Sequence, residues 1–306
     1  MYRNLKSLLF LLVFIFSSVV ISASEVKTDN KLKVVTTTTI FKDLIESIGG
    51  EKIQVRSLMG EGVNVHSYAA SAGDLEKLNN ADIIIYGGLH LEGKMGVIFD
   101  KLKNSGKNVL SLGDNLDKNL LLYRKENHPD PHTWFDTKLW ILESELVANK
   151  LSEIDKDNRD YYMDRYNNYK KEVEELTIYI EKRIKEIPEE SRVLITAHGA
   201  YGYFARQFGL ETRSIRGINA NSESGTKDII DLADFIVGKN IKAIFVETSA
   251  SHKTVEALQE AVKSKGKEVK IGGELYSDSL GDKENNTETY IKTLRKNIDI
   301  IAEALK

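Results

Sequence analysis

Between Asp160 and Ile187, eight apolar positions (Tyr162, Tyr166, Tyr169, Val173, Leu176, Ile180, Ile184 and Ile187) recur at spacings of three and four. That pattern lays one apolar stripe along one helix. Asp157 or Asn158 can cap its start and Pro188 stops it. At 1.5 Å per residue the helix is about 42 Å long. The stripe spans barely four heptads, too few to argue for a coiled coil, and it is bracketed by two stretches with a different grammar. It reads as a strut between two lobes, and no glycine between Gly113 and Gly199 invites it to bend.

On both sides of the strut, short β-branched runs alternate with helical patterns. In the first half, Lys33–Thr39, Lys52–Met59, Asp82–Tyr86 and Lys107–Leu112 read as strands, with helices over Ile40–Ile48 and Ala72–Asn79. In the second half, Arg192–Thr196, Thr212–Ile215, Ala243–Glu247 and Val269–Leu275 read as strands, with helices over Thr226–Lys239, His252–Lys265 and Thr287–Lys306. Strands alternating with helices predict parallel βαβ units with helices on both faces. The expected architecture is two doubly wound α/β lobes, residues 32–155 and 189–306, joined by a single backbone helix within 156–188. A chain of 306 residues is long enough for two domains.

The first 24 residues read as a secretory leader: Arg3 and Lys6, an uncharged apolar run from Ser7 to Ala23, and small residues Ser22-Ala23-Ser24 for cleavage. Retention of that run as a membrane anchor is the alternative. Either way the remainder is expected to be exported. With no cysteine, the chain has no disulfide, no thiolate metal site, no Cys nucleophile and no lipidated cysteine. Its 43 basic and 46 acidic residues are interspersed, so no basic block stands out to neutralise phosphates and nucleic acid is not an expected partner.

Six histidines are the candidates for chemistry: His66, His90, His128, His132, His198 and His252. A lone histidine is more often a hydrogen-bonded or surface residue than a ligand, but position changes that prior. His66 follows the strand ending near Met59, His198 follows Arg192–Thr196, and Asp278 follows the strand ending near Leu275. Open parallel sheets bind ligands beyond the carboxyl ends of their strands. His128 and His132 lie in HPDPH, where spacing of four on a helix would put both rings on one face. The two prolines force His128 and Asp130 into extended geometry. The two Cα atoms then lie about 13 Å apart, so one of the pair, not both, is a candidate ligand. Asp130-Pro131 reads as the cap and first residue of a helix running through Trp134 and Trp140.

The ordered set GVNVHSYAASAGD, DPHTWFD, LITAHGAYGYFARQFGL, AIFVETS and LYSDSLG resembles the solute-binding proteins of zinc and manganese ABC importers, and more narrowly their TroA-like branch (cluster A-I). The resemblance runs from about Lys33 to the end. It implies one divalent metal in a cleft between the lobes, held by His66 and His132 from the first and by His198 and Asp278 from the second. It also implies a membrane permease as partner, and a monomer. Members with Glu at the third position are usually manganese-associated; this chain has His. It departs from the pattern in carrying Asn64-Val65 where Asp-Pro is usual, and in lacking both the lipidation cysteine and the His-rich loop of many zinc members.

Three imidazoles and one carboxylate suit Zn²⁺ and tolerate Mn²⁺ or Fe²⁺ on donor chemistry alone. With the metal bound and Asp278 ionised the ligand shell carries a net positive charge. A further carboxylate would help, and Glu247 at the end of AIFVE is the candidate, with His90 as a possible lining residue. Two other functions compete. A zinc hydrolase would keep three protein ligands and an open position, and the chain has neither HExxH nor GxSxG. A surface adhesin would show an exposed repeat or aromatic patch, and the sequence has neither.

Overall fold

The β-branched runs form parallel strands in a computed structural model that describes residues 31–123, 128–217 and 225–306; the leader read over residues 1–24 lies outside the described residues. The first half contains β1 (Leu32–Thr36), α1 (Thr39–Gly49), β2 (Ile53–Ser57), α2 (Ala72–Asn79), β3 (Ile83–Tyr86), α3 (Gly96–Asn104), β4 (Asn108–Ser111) and α4 (Thr137–Ile154). The long helix is α5 (Arg159–Lys185). The second half contains β5 (Val193–Thr196), α6 (Gly202–Phe208), β6 (Glu211–Ser214), α7 (Thr226–Lys239), β7 (Ala243–Glu247), α8 (His252–Ser264), β8 (Lys270–Leu275) and α9 (Tyr290–Leu305). Strand order in the first lobe is β2-β1-β3-β4, all parallel. In the second, β5 pairs with β6 and β7 with β8, again in parallel.

Local chemistry sets the element boundaries. The threonine run after Val35 reads as strand to Thr39, but β1 ends at Thr36 because Thr38 turns to cap α1, its side chain accepting from the Phe41 N–H. Ser71 and Asp74 form a capping box on α2. The helix carrying Trp140 is capped by Asp136, whose carboxylate accepts from the Lys138 and Leu139 N–H groups. Asp130 is therefore not the cap the sequence suggested; Thr133–Phe135 forms a separate 3-10 turn ahead of α4. Helix α3 escapes the sequence reading because it opens on Gly96 and buries only Phe99.

Packing unites the lobes more than their topology suggests. The whole predicted stripe is buried, its last member Ile187 lying just past the end of α5, and one apolar core runs from β1 and β3 through α1, α4 and α5 to α6 and α9. A smaller core lies among α7, α8 and their strands. Residues 31–306 form one compact unit. Helix α6 ties back to the first half: Arg206 donates to the Leu120 carbonyl at 2.7 Å and Gln207 bonds both Thr137 N–H and its hydroxyl at 2.8 and 2.7 Å. Near the start of α9, the Tyr290 N–H donates to Asp43 at 2.8 Å and its hydroxyl to the Trp134 carbonyl at 2.7 Å.

Hinge closure about flexible crossovers is therefore not expected here. A continuous helix without Gly or Pro, clamped along its length, resists bending. Metal loading is expected to rotate one lobe against the other by only a few degrees. Paired crystal structures of metal-free and loaded protein check this, and a change of tens of degrees would overturn the strut.

Candidate metal centre

Four segments converge beyond the carboxyl ends of the strands. His66 sits in a 3-10 turn, Val65–Ser67, after β2; Asn64 opens it by accepting the His66 N–H on its side-chain oxygen at 3.0 Å. His132 directly precedes the 3-10 turn Thr133–Phe135. His198 follows β5, where the Thr196 hydroxyl donates to its carbonyl at 2.7 Å. Asp278 follows β8 in a loop fixed by the Trp134 indole N–H, which donates to the Ser277 carbonyl at 3.1 Å.

All four side chains are buried, and one donor atom from each lies within 4.8 Å of the other three. His66 Nε2 is 3.7 Å from one Asp278 oxygen; His132 Nε2 and His198 Nε2 are 3.6 and 3.3 Å from the other. Ligands about 2.0–2.1 Å from a tetrahedral metal stand roughly 3.3 Å from one another, so the spacings match one shared ion. His66 Nε2, His132 Nε2, His198 Nε2 and Asp278 Oδ1 are buried with no hydrogen-bond partner. Buried polar atoms are costly when unpaired, and four of them aimed at one point fit a cation.

Two of the three imidazoles are oriented by carboxylates. His198 Nδ1 contacts Glu247, itself fully buried at the end of β7. His132 Nδ1 donates to Asp130 at 2.7 Å, and its backbone N–H meets the same oxygen at 3.1 Å. Both bonds leave Nε2 as the free donor, the arrangement in which a carboxylate fixes tautomer and raises ligand basicity. The sequence offered Glu247 as the further carboxylate, without saying which ligand it meets. Asp130 was not foreseen, because its place before Pro131 suggested a helix cap; its separation of two from a candidate ligand was the available signal. The Ser249 hydroxyl bonds Asp278 at 3.2 Å and the Ser277 hydroxyl at 2.8 Å.

The electrostatics divide the histidines. Burial lowers the His66 pKa to about 4, with Asp278 only partly offsetting it, so the ring is neutral near pH 7. For His198 burial would also lower the pKa, but Glu247 and Asp278 more than reverse that and hold it well above the ordinary histidine range. His132 is raised in the same way by Asp130 and Asp278. Asp278, despite burial that would raise it, is held well below the usual carboxylate range by the imidazoles around it.

The remaining histidines sit elsewhere. His90 and His128 are exposed, with their rings edge to face and 6.3 Å apart between centroids; neither belongs to the cluster of four. His252 is exposed at the start of α8 and pairs with Glu274 at 2.9 Å. Within HPDPH, Pro129 bridges back to Tyr123, and His132 is buried where His128 is exposed.

Two α/β lobes clamped on a rigid helix, closing four donors around a single buried point, define a metal-binding solute receptor. An enzyme zinc would keep one position open. A family model described as "Zinc-uptake complex component A periplasmic" matches residues 34–304, and the chain belongs to that family of solute-binding proteins. It is 40% identical over 283 residues to the zinc-binding protein TroA of Treponema pallidum, covering 92% of each chain. It is equally 40% identical over 279 residues to the manganese-binding lipoprotein MntA of Bacillus subtilis, covering 91% of each. The solved structure of the Treponema pallidum periplasmic zinc-binding protein TroA superposes with a TM-score of 0.87 at 40% identity, covering 90% of this chain and 99% of that one.

Proposed function

We propose that this protein captures a divalent transition metal outside the cytoplasmic membrane and delivers it to the permease of an ABC importer. The cargo is Zn²⁺ or Mn²⁺, with Fe²⁺ tolerated on donor chemistry. The ligands are His66 and His132 from the lobe of residues 32–155, and His198 and Asp278 from the lobe of residues 189–306, set on the strut within 156–188. Glu247 and Asp130 orient two of the imidazoles. The observation that carries this reading is the set of four mutually close, buried donor atoms without hydrogen-bond partners. An extracytoplasmic place agrees with the names of the periplasmic and lipoprotein relatives, and the described residues include no helix long and apolar enough to cross a membrane. We assign residues 1–24 to export, with cleavage after the small residues near Ala23.

Metal analysis of protein purified without an affinity tag tests the reading; one equivalent of Zn²⁺ or Mn²⁺ per chain is expected. Titration calorimetry then separates the histidines. His128→Ala and His252→Ala are expected to leave affinity within about twofold, because both side chains are exposed and surface substitutions away from a site cost little. A His128→Ala loss as large as that of His132→Ala would refute the ligand assignment.

A further inference from the structure

His66 differs from the other two imidazoles of the cluster. Neither of its ring nitrogens has a hydrogen-bond partner, whereas His132 and His198 are each braced by a carboxylate. Its orientation therefore depends on its backbone, through Asn64 and the loop of residues 60–64 that precedes it, which is exposed at residues 60–62. That loop reaches across to the second lobe. The Gly62 N–H donates to the Ser279 hydroxyl at 2.9 Å, joining residues 217 apart in sequence. Gly62 has φ +67, and a Cβ there would lie 3.6 Å from the Thr248 carbonyl, so the loop passes close to both segments that flank Asp278. Ser279 is buried although its partner is exposed.

The Asp278 side of this contact does not depend on it. Ser277 is held by the Trp134 indole, the Leu280 N–H donates to the Thr39 hydroxyl at 2.8 Å, and the Asp278 carboxylate is bonded by Ser249, not Ser279. On the loop side, the bond from the Gly62 N–H to the Ser279 hydroxyl ties residues 60–64 to the second lobe. We propose that Ser279 is a positioning residue that latches the 60–64 loop over the metal and sets the rate at which metal leaves, which is also the point where a docked permease can act to release it. This rests on His66 being a ligand, as proposed above. Breaking the latch frees the loop to lift while Asp278, His132 and His198 stay braced. It therefore speeds exchange more than it alters the equilibrium shell.

The test uses the full chain loaded with Zn²⁺ and mixed with a chromophoric chelator by stopped flow. A single hydrogen bond of this kind shifts an open–closed equilibrium by about two- to tenfold, so Ser279→Ala is expected to speed Zn²⁺ release by that factor. Stoichiometry should remain as in the wild type, and the metal-free variant should melt within a few degrees of it. In the wild-type loaded protein, hydrogen exchange of the exposed Gly62 amide is expected to be slowed, and slowed less in Ser279→Ala. An unprotected Gly62 amide in the wild type overturns the latch even if the variant fails to fold. Unchanged release in a folded Ser279→Ala overturns it as well. His66→Ala, run alongside, separates the two claims: full affinity in that variant sinks the ligand assignment itself, whereas weakened affinity with unchanged Ser279→Ala release sinks only the latch.

Discussion

Replacing His198 by alanine is expected to weaken Zn²⁺ binding by about a hundredfold or more, with comparable losses for His66→Ala, His132→Ala and Asp278→Ala. A four-ligand zinc shell is worth about 10–16 kcal/mol near neutral pH, so each ligand carries roughly 3 kcal/mol on average, and every 1.4 kcal/mol is about tenfold in Kd. The loss for His198 carries a second component. Its removal leaves Glu247 buried beside a cavity without the ring it contacts, and an unpaired buried carboxylate is costly. Glu247→Gln keeps the shape and removes the charge; it is expected to cost about 10–100-fold, the usual range for a partner behind a ligating imidazole. Asp130→Asn should fall in the same range, since it occupies the corresponding place behind His132. Competition against a chelator of known affinity measures all six. An Asp130→Asn variant at wild-type affinity would show that His132 needs no carboxylate to orient it.

The sequence disclosed most of the fold where period and punctuation agreed. The stripe on α5, the strand of Ala243–Glu247 and the helices of Ala72–Asn79 and Thr226–Lys239 all formed where the pattern put them. It failed where a side chain turned to a different partner. Thr38 reads as strand by β-branching but its hydroxyl caps a helix, and Asp130 reads as a cap but its carboxylate holds a histidine ring. Three of the four clustered donors were legible beyond predicted strand ends, and the two prolines left one of His128 and His132; only the resemblance to the solute-binding family chose His132. The continuity of the core across both halves was not legible, because it depends on which faces of α6 and α9 meet the first lobe. No local pattern encodes that.

Metal should stabilise the native protein strongly, and the gain should grow with pH. Binding to the native state alone adds RT ln(1 + [M]/Kd), about 4 kcal/mol at a thousandfold excess over Kd. For a chain of this size that is roughly 8–16 °C in Tm. The pH dependence follows from two groups whose folded pKa lies above the unfolded histidine value near 6.5: His198, raised by Glu247 and Asp278, and His132, raised by Asp130 and Asp278. In metal-free protein a raised pKa contributes stability that is fully present below about pH 6.5 and is lost as pH rises through the folded values. Metal, in contrast, needs both rings neutral and must expel their protons, so its affinity climbs over that same interval. His66, already lowered to about 4, has no proton to lose at neutral pH and adds no slope there. Asp278 is ionised throughout, being held below the usual range. Both effects act in one direction: the apo protein weakens and the metal binds better as pH rises from 6 to 8. The difference in Tm between loaded and metal-free protein should therefore be larger at pH 8 than at pH 6, and calorimetry in buffers of different ionisation enthalpy should record protons released on binding at pH 7. A Tm difference that shrinks with pH, or binding with no proton release, would mean that His132 and His198 are already neutral in the empty site.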